Sequence, residues 1–300
     1  MGKFLATCLL FGGLFVSIGR SEALAAPGPE PFVIGKARVT ALQDMPGEMP
    51  VDLFRGASEK DMEILAASES VPGGTTVFLI QDGGKNILVD TGFGLGRPER
   101  ESALPDLLQE LGLEPDAIDA VLLTHMHGDH IGGLVREGRA AFPKATVFVN
   151  EKELAFWSDA ETLRAQPDLE RNAAMVKEVQ RAYGGRLKVF AFDAILFPGI
   201  TAKAATGHTP GHTLFSLVSN DERLLFWGDL VHGAALQFPN PGICAVYDMD
   251  MEEAVNTRRE VMATAAAEKI PVAGAHLPFP ALGRVAKAEN EGQYLFTPGL

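Results

Sequence analysis

The side chains with the clearest capacity for chemistry lie in the run THMHGDHIGG at residues 124–133. Three imidazoles and one carboxylate fall within six positions there, at His125, His127, Asp129 and His130. Side chains alternate along extended backbone, so His125 and His127 point the same way, and the glycine that follows lets the chain turn. Imidazole and carboxylate bind zinc and similar divalent metals, so the run predicts a metal site. The alternative is an accidental cluster of polar loop residues, which would leave costly buried groups without a metal.

Three later segments supply further candidate ligands. His212 is the second histidine of GHTPGHT at residues 207–213, Asp229 ends the segment FWGD, and His276 ends GAH. Each has a glycine nearby, which permits close approach of backbone to a crowded centre. A lone buried histidine is more often a hydrogen-bonded core residue than a ligand. The order and spacing of all these groups together nevertheless favour a centre of one or two metal ions.

These residues follow segments with the pattern of strands. Thr75–Gln81 and Asn86–Asp90 predict a β-hairpin, and the apolar run Ala120–Thr124 predicts a buried strand that leads into His125. Further strands are predicted at 32–42, 146–149, 187–192, 214–219 and 224–227, and helices at 103–113, 151–157, 169–183 and 252–268. Strands and helices alternate along the chain, so the predicted fold class is α/β.

The order of the motifs resembles that of the metallo-β-lactamase superfamily. HxHxDH is followed by a distant His, Asp and His, and VDTG precedes them at residues 89–92. The resemblance extends to the methyl parathion hydrolase-like branch, which contains organophosphorus hydrolases and lactonases. AFPKATVFVNEKELAFW at 141–157, GHTPGHT at 207–213 and AHLPFP at 275–280 carry this closer similarity. The superfamily motifs are specific for fold and metal site, and those of the branch are less specific for substrate.

The resemblance implies an αββα sandwich with a metal site at one edge of the two sheets. It implies a first metal held by His125, His127 and His212, a second held by Asp129, His130 and His276, and Asp229 as a bridge. Two divalent ions, with zinc as the expected metal, would share a hydroxide that attacks ester-like bonds. Asp129 is the predicted catalytic residue, because a carboxylate ligand can accept a proton from that water or return it.

Two further polar residues are predicted to support the centre. Asp90, at the end of the hairpin, is expected to accept a hydrogen bond from a ligand imidazole, which fixes the tautomer of the ring. Its alternative role is that of a turn-forming Asp before Thr-Gly. His208, four residues before His212, is expected to be a hydrogen-bonded structural residue and not a ligand.

Three residues are predicted to contact substrate. His232 follows Asp229 by three positions, near where related lactone hydrolases place a Tyr that contacts the substrate. Trp157 and Phe238 lie in stretches similar to the branch, and aromatic walls suit an apolar part of a substrate. The alternative is that His232 is an ordinary polar residue and that the two aromatic residues belong to the core.

The N-terminal segment has the pattern of a secretory signal peptide. Residues 1–25 contain Lys3, an apolar run over 4–18 that is too short to span a membrane, and Ala-Leu-Ala before the expected cleavage site. We therefore expect an exported protein, periplasmic or secreted, with residues 26–300 as a single hydrolase domain. That mature chain keeps one cysteine, Cys244, and cannot form an internal disulfide.

The charge of the chain restricts its partners. The formal net charge is −13. Nucleic acids and anionic membranes select for basic surfaces, so neither is an expected partner. A small-molecule substrate is expected, and the resemblance implies a homodimer.

The favoured function is hydrolysis of a phosphotriester or a lactone at the two metals. Hydrolysis of a β-lactam or a thioester at the same site is the enzymatic alternative. The β-lactam reaction is less favoured, because those enzymes usually place a Cys where this chain has Asp229. A metal-binding protein without turnover is the non-enzymatic alternative.

Overall fold

The computed structural model describes residues 31–56, 69–94 and 102–300 of this chain. The predicted signal peptide at residues 1–25 lies outside the described residues. Two seven-stranded sheets form the centre of the structure. Among the described residues, no helix is both long enough and apolar enough to cross a membrane.

The first sheet is mixed, with parallel strands in its second half. Its order is β1 (Phe32–Ile34), β2 (Ala37–Met45), β6 (Thr75–Asp82), β7 (Lys85–Val89), β8 (Ala120–Leu122), β11 (Thr146–Asn150) and β12 (Leu187–Phe190). β7, β8, β11 and β12 run parallel to one another. The predicted hairpin is confirmed, since β6 and β7 pair antiparallel with Phe78 opposite Val89.

The second sheet repeats the arrangement with more antiparallel pairs. Its order is β13 (Ile195–Phe197), β14 (Ile200–Ala204), β15 (Thr213–Ser219), β16 (Glu222–Phe226), β18 (Val272–Ala273), β19 (Leu282–Lys287) and β20 (Tyr294–Pro298). β16 and β18 are parallel, so their carboxyl ends lie at the same edge. Three small ribbons pair β3 (Glu48–Pro50) with β5 (Ser70–Pro72), β4 (Phe54–Arg55) with β17 (Cys244–Ala245), and β9 (Val135–Arg136) with β10 (Arg139–Ala140).

Helices pack against the outer faces of both sheets or lie in the connecting segments. They are α1 (Leu104–Glu110), α2 (Gly128–Ile131), α3 (Glu151–Ser158), α4 (Ala160–Ala165), α5 (Glu170–Tyr183), α6 (Ala234–Gln237) and α7 (Met251–Glu268). In α5 the buried residues recur at helical spacing, at Ala173, Val176, Val179 and Tyr183. They pack with β7, β8 and β11 in one core, while α7 packs against the second sheet.

Successive residues of the central strands serve two different cores. Ile87 and Val89 of β7 lie between the sheets, whereas Leu88 faces the helices on the other side. Strands buried on both faces have continuous apolar sequences, which explains the short runs seen in β7 and β8. The predicted αββα sandwich is therefore confirmed.

One predicted strand is divided in the structure. The predicted strand at 32–42 is interrupted between β1 and β2. Gly35 lies at this break with φ +59°, next to the backbone of Ser219 in the second sheet. A Cβ at Gly35 would lie 2.0 Å from the carbonyl oxygen of Ser219, so only glycine fits there. The turn thus depends on a neighbour distant in sequence.

Candidate metal centre

Asp90, which follows β7, hydrogen-bonds the first residue of the histidine run. Asp90 follows this strand with a left-handed backbone, φ 63°. Its Oδ1 accepts the amide of Thr124 at 2.8 Å, and its Oδ2 accepts the Thr124 hydroxyl at 2.7 Å. Because β7 and β8 are parallel, Asp90 and His125 emerge at the same edge of the sheet. Asp229 after β16 and His276 after β18 emerge together in the same way from the second sheet.

A first cluster contains His125, His127, His208 and Asp229, and its nitrogen and oxygen atoms lie within 4.8 Å of one another. Nδ1 of His127 lies 3.0 Å from Nε2 of His125 and 3.0 Å from Nε2 of His208. Oδ2 of Asp229 lies 3.4 Å from Nε2 of His208 and 3.7 Å from Nε2 of His125. These atoms therefore surround one small volume.

A second cluster contains Asp129, His130, Asp229 and His276. Nε2 of His130 lies 3.0 Å from Oδ1 of Asp229 and 3.6 Å from Oδ2 of Asp129. Nε2 of His276 lies 3.0 Å from Oδ2 of Asp229 and 3.4 Å from Oδ2 of Asp129. Asp229 belongs to both clusters, so the two share one carboxylate.

The chemistry of these atoms fits bound metal ions. Nδ1–H of His130 donates to Asp90 at 2.8 Å, which leaves the lone pair on Nε2. Among the described residues, Nε2 of His130 and Oδ1 of Asp229 are buried and make no hydrogen bond of acceptable geometry, although they lie 3.0 Å apart. Buried polar atoms without partners are costly. A bound cation would satisfy both atoms, and the donor set of imidazole and carboxylate suits zinc.

Burial and charge divide the histidines into two types. Burial lowers the pKa of His125 and His127 well below the usual value, because the interior penalises the charged ring. Burial acts the same way on His130 and His276, but the charges of Asp229 and Asp129 prevail and raise the pKa of both. The second cluster therefore favours positive charge. A proton and a metal ion would compete for the nitrogens of His130 and His276.

The structure places His208 in the first cluster, and the predicted ligand His212 lies next to it against Asp229. From the sequence we expected His212 as the ligand and His208 as the structural residue. In the structure, Nδ1 of His212 hydrogen-bonds the carbonyl of Ala205 at 2.8 Å, and its Nε2 accepts the amide of Asp229 at 3.1 Å. His212 immediately precedes β15 and lies under the centre, whereas His208 lies on the preceding loop and reaches His127. The spacing of the two histidines alone did not distinguish these positions.

Several ring nitrogens that face away from the centre are held by a fixed acceptor. Nδ1–H of His130 donates to Asp90, and Nδ1–H of His276 donates to the carbonyl of Gly74 at 2.7 Å. Nδ1–H of His208 donates to Oδ1 of Asp248 at 2.8 Å. Such partners fix which nitrogen carries the lone pair. No motif signalled Asp248, since it lies in an irregular segment after β17.

Asp248 is itself held by a buried arginine. Nη2 of Arg258 lies 3.2 Å from Oδ2 of Asp248, and both side chains are fully buried. The same guanidinium donates to the carbonyls of Leu230, Pro241 and Ile243. Burial alone would raise the pKa of Asp248, but the hydrogen bond from His208 and the nearby charges lower it well below its usual range. The carboxylate therefore stays ionised beneath His208.

His232 lies between the clusters and the cavity. Its Nε2 is 3.1 Å from Oδ2 of Asp229, and its ring stacks on that of His276 at 5.1 Å and 17°. Burial lowers its pKa, which keeps the ring neutral. Within the described part of the chain neither ring nitrogen makes a hydrogen bond of acceptable geometry. This position beside the cavity is compatible with the predicted contact to substrate.

Two predicted substrate contacts need correction. Trp157 has 0% exposure, packs in the core between the first sheet and its helices, and donates Nε1–H to Glu153 at 2.8 Å. Phe238 is 2% exposed and stacks on Phe296 at 5.1 Å. Both rings belong to cores, which is the usual place of large aromatic residues.

A cavity of about 540 Å³ opens over the two clusters. His127, Asp129, Asp229, His232 and His276 lie at its base. Apolar side chains form much of the wall, and they are Met45, Met49, Leu53, Phe93, Met175 and Tyr247. Asp168, Arg171 and Asn172 add polar groups at the rim. The cavity thus combines a polar base with apolar walls, as small-molecule sites commonly do.

Fold, motif order and site define the class of this protein. Residues 70–274 match the family model described as the metallo-beta-lactamase superfamily. The chain belongs to this superfamily, and it is a metal-dependent hydrolase.

Two solved structures are similar over nearly their whole length. The hydrolase AbOPH of the beta-lactamase superfamily is 30% identical, with a TM-score of 0.83 over 91% of this chain and 98% of that chain. AidC, a dizinc quorum-quenching lactonase, is 27% identical with the same TM-score and the same coverage.

Among curated proteins, a ribonuclease of Thermus thermophilus is 27% identical over 198 residues, which is 62% of this chain and 42% of the ribonuclease. The chain spans about two fifths of the length of the first curated relatives that it matches. These matches therefore support the shared hydrolase domain and no more.

Proposed function

We propose that this protein hydrolyses lactones or phosphotriesters with two divalent metal ions, zinc in the first instance. The observation that carries the proposal is the position of Asp229 between the clusters. Its Oδ1 lies 3.0 Å from Nε2 of His130, while its Oδ2 lies 3.4 Å from Nε2 of His208. One carboxylate shared by two ligand sets is suited to hold two ions side by side. Such ions supply an acidified water and polarise the oxygen of the substrate.

The residues of this chain would divide the remaining work. The first ion would be held by His125, His127 and His208, the second by Asp129, His130 and His276, with Asp229 shared. Asp129 lines the cavity and its side chain is 19% exposed, so water and substrate can reach it. It is therefore our candidate to hold and return the proton. His232, which also lines the cavity, would contact the substrate.

The cavity favours a neutral substrate with an apolar substituent. Met45, Met49 and Met175 offer flexible thioether surfaces beside the clusters. Lactones and phosphotriesters each present an electrophilic centre with a polarisable double-bonded oxygen. The similarity to AidC, itself a dizinc lactonase, supports the lactone as the first substrate to test.

The test compares four substrate classes with protein of known metal content. The mature protein, reloaded with zinc, is assayed on an acyl-homoserine lactone, a methyl phosphotriester, nitrocefin and an acyl thioester, each with a chelated control. We expect the highest kcat/KM on the lactone or the triester, and loss of the rate on chelation. A rate confined to the β-lactam or the thioester would overturn the proposed substrate class.

Two variants tie the rate to the centre. Asp229→Asn should lose metal and turnover together, since it removes one charge from both clusters. Asp193→Asn is the matched control, because that carboxylate is 74% exposed and pairs with Lys203 away from the clusters. Full metal content and rate in Asp229→Asn would contradict the shared role of Asp229.

We also propose that the protein is exported, on the pattern of residues 1–25. The mass of the mature chain from a periplasmic extract should correspond to cleavage near residue 25. An intact N terminus in the cytoplasm would contradict export. The homodimer implied by the resemblance stays a prediction for size-exclusion chromatography with light scattering.

A further inference from the structure

Glu153 is a carboxylate buried in the core next to the first cluster. It lies in α3, has 0% exposure and belongs to neither cluster. Its Oε1 accepts the amide of Met126 at 2.9 Å and Nε1–H of Trp157 at 2.8 Å. Its Oε2 accepts the hydroxyl of Thr209 at 2.6 Å and the amide of Gly211 at 3.0 Å. Four donors thus converge on one buried carboxyl group.

The partners of Glu153 belong to the two segments that supply the histidines of the first cluster. Met126 lies between His125 and His127, so its amide is fixed at the centre of the histidine run. Thr209 directly follows His208. The two oxygens of one side chain therefore join two segments that are far apart in sequence but must meet at one ion.

The segment at residues 207–213 packs closely against α3 at Gly211. A Cβ at Gly211 would lie 2.3 Å from the amide nitrogen of Glu153 and 2.5 Å from its Cβ. The loop that carries His208 therefore rests directly on the first turn of this helix. Glu153 lies at the point of contact.

We propose that Glu153 is a positioning residue that sets the distance between His208 and the pair His125 and His127, and so determines metal affinity in the first cluster. The inference rests on the metal ions of the proposed function but not on the substrate. Glu153 would not contact the ion or the reacting atoms. It would act through backbone amides on either side of the ligands.

The second cluster provides an internal reference. Its histidines are held by other groups, His130 by Asp90 and His276 by the carbonyl of Gly74. None of the four donors to Glu153 lies next to His276. A defect at Glu153 should therefore weaken one metal position more than the other.

Glu153→Gln tests the proposal with almost no change of volume. The amide NH₂ must replace either Oε1, where it faces the amide of Met126, or Oε2, where it faces the amide of Gly211. A backbone amide cannot reverse into an acceptor, so one segment loses its hydrogen bond in either orientation. Thr209→Val is a milder variant that removes a single hydrogen bond and keeps the shape of the side chain.

Asn150→Ala is the matched control for loss of helix stability. Asn150 is the N-cap of α3, and its side chain accepts the amide of Lys152 at 2.9 Å, a hydrogen bond that stays within the helix end. Its loss should weaken the same helix. Metal affinity should then stay at the wild-type value in both clusters.

The readout is metal affinity at each position, measured by competition between the metal-free protein and a chromophoric zinc chelator. Cobalt titration followed by absorption reports the two coordination environments separately. We expect Glu153→Gln to bind one ion with wild-type affinity and the other about 10- to 100-fold more weakly, as for other residues that orient ligands. Thr209→Val should weaken the same position to a smaller extent.

Three results would overturn the proposal. They are two unchanged affinities in Glu153→Gln, equal weakening at both positions, or a change in Asn150→Ala of the same pattern and size. If Glu153→Gln does not fold, Thr209→Val decides by the same criteria. Because turnover is not the readout, a wild-type protein inactive on every substrate would refute the proposed function and leave this inference standing.

Discussion

The positions of His208 and His212 beside the first cluster lead to a prediction about two single substitutions. His208→Ala removes a member of the first cluster, whose Nε2 lies 3.0 Å from Nδ1 of His127. His212→Ala removes a buried ring that hydrogen-bonds the Ala205 carbonyl and the Asp229 amide. Burial lowers the pKa of His212 to about 3, so the ring stays neutral and its Nε2 accepts from that amide. His208→Ala should therefore mainly weaken metal binding, and His212→Ala should mainly destabilise the fold.

The expected magnitudes follow from the contacts. Zinc held by four protein ligands has an apparent binding free energy of about 10 to 16 kcal/mol, or about 2.5 to 4 kcal/mol for each ligand. His208→Ala should therefore weaken zinc binding in the first cluster by roughly 10²- to 10³-fold. Its partner Asp248 keeps the amide of Ala245 and Arg258, so the metal-free protein should lose little stability.

His212→Ala should show the opposite pattern. It leaves the Asp229 amide and the Ala205 carbonyl without partners, at a cost of about 1 to 3 kcal/mol each in unfolding free energy. Zinc affinity should fall by no more than about 10- to 100-fold, through displacement of Asp229. The assays are urea unfolding of the metal-free proteins and zinc competition with a chelator. Stable metal-free His212→Ala with the larger loss of zinc affinity would refute our assignment of His208.

Three further predictions test other parts of the site and core. Asp90→Ala removes the acceptor of Nδ1–H of His130 and should weaken zinc binding about 10- to 100-fold by chelator competition; unchanged affinity would contradict an orienting role. Gly228→Ala should destabilise the protein by about 1 to 3 kcal/mol in urea unfolding, because φ is +54° and a Cβ would lie 2.6 Å from Nε2 of His212; a stable variant would show that this backbone can relax. Burial raises the pKa of Tyr183 to about 12, so the unfolded chain loses this proton first. The contribution of the protonated Tyr183 to the unfolding free energy is fully present below about pH 10. It decreases by up to about 2.7 kcal/mol as the pH rises toward about 12. Tyr183→Phe should abolish that part of the alkaline loss, which pH-dependent unfolding of both proteins measures.

Much of the metal centre could be predicted from the sequence, because its ligands are local and of distinctive types. The run from His125 to His130 combines imidazole and carboxylate directly after a buried strand, and both clusters draw on it. Asp229 and His276 each follow a short strand of the second sheet, where chemistry and spacing agree. The apolar patterns of β7, β8 and α5 also predict these elements, because each element buries a regular set of side chains.

Other assignments depended on which surfaces meet. His208 and His212 share a motif and a residue type, and only the path of the loop over α3 decides which of them reaches His127. Trp157 and Phe238 looked like pocket walls, but burial places both in cores. The sequence shows that a side chain is aromatic or basic. Whether that side chain is buried depends on which distant residues pack around it.

The fold class, the metal chemistry and most of the candidate ligands follow from the amino-acid sequence, because strand periodicity and ligand type are local properties of the chain. The contact of His208 with His127, its hydrogen bond to Asp248 and the two segments joined by Glu153 are features of the folded chain that no sequence motif indicates. These depend on distances between residues far apart in sequence. Such distances are set when the two sheets pack, because a buried carboxylate is stable only where donors from several segments converge on it.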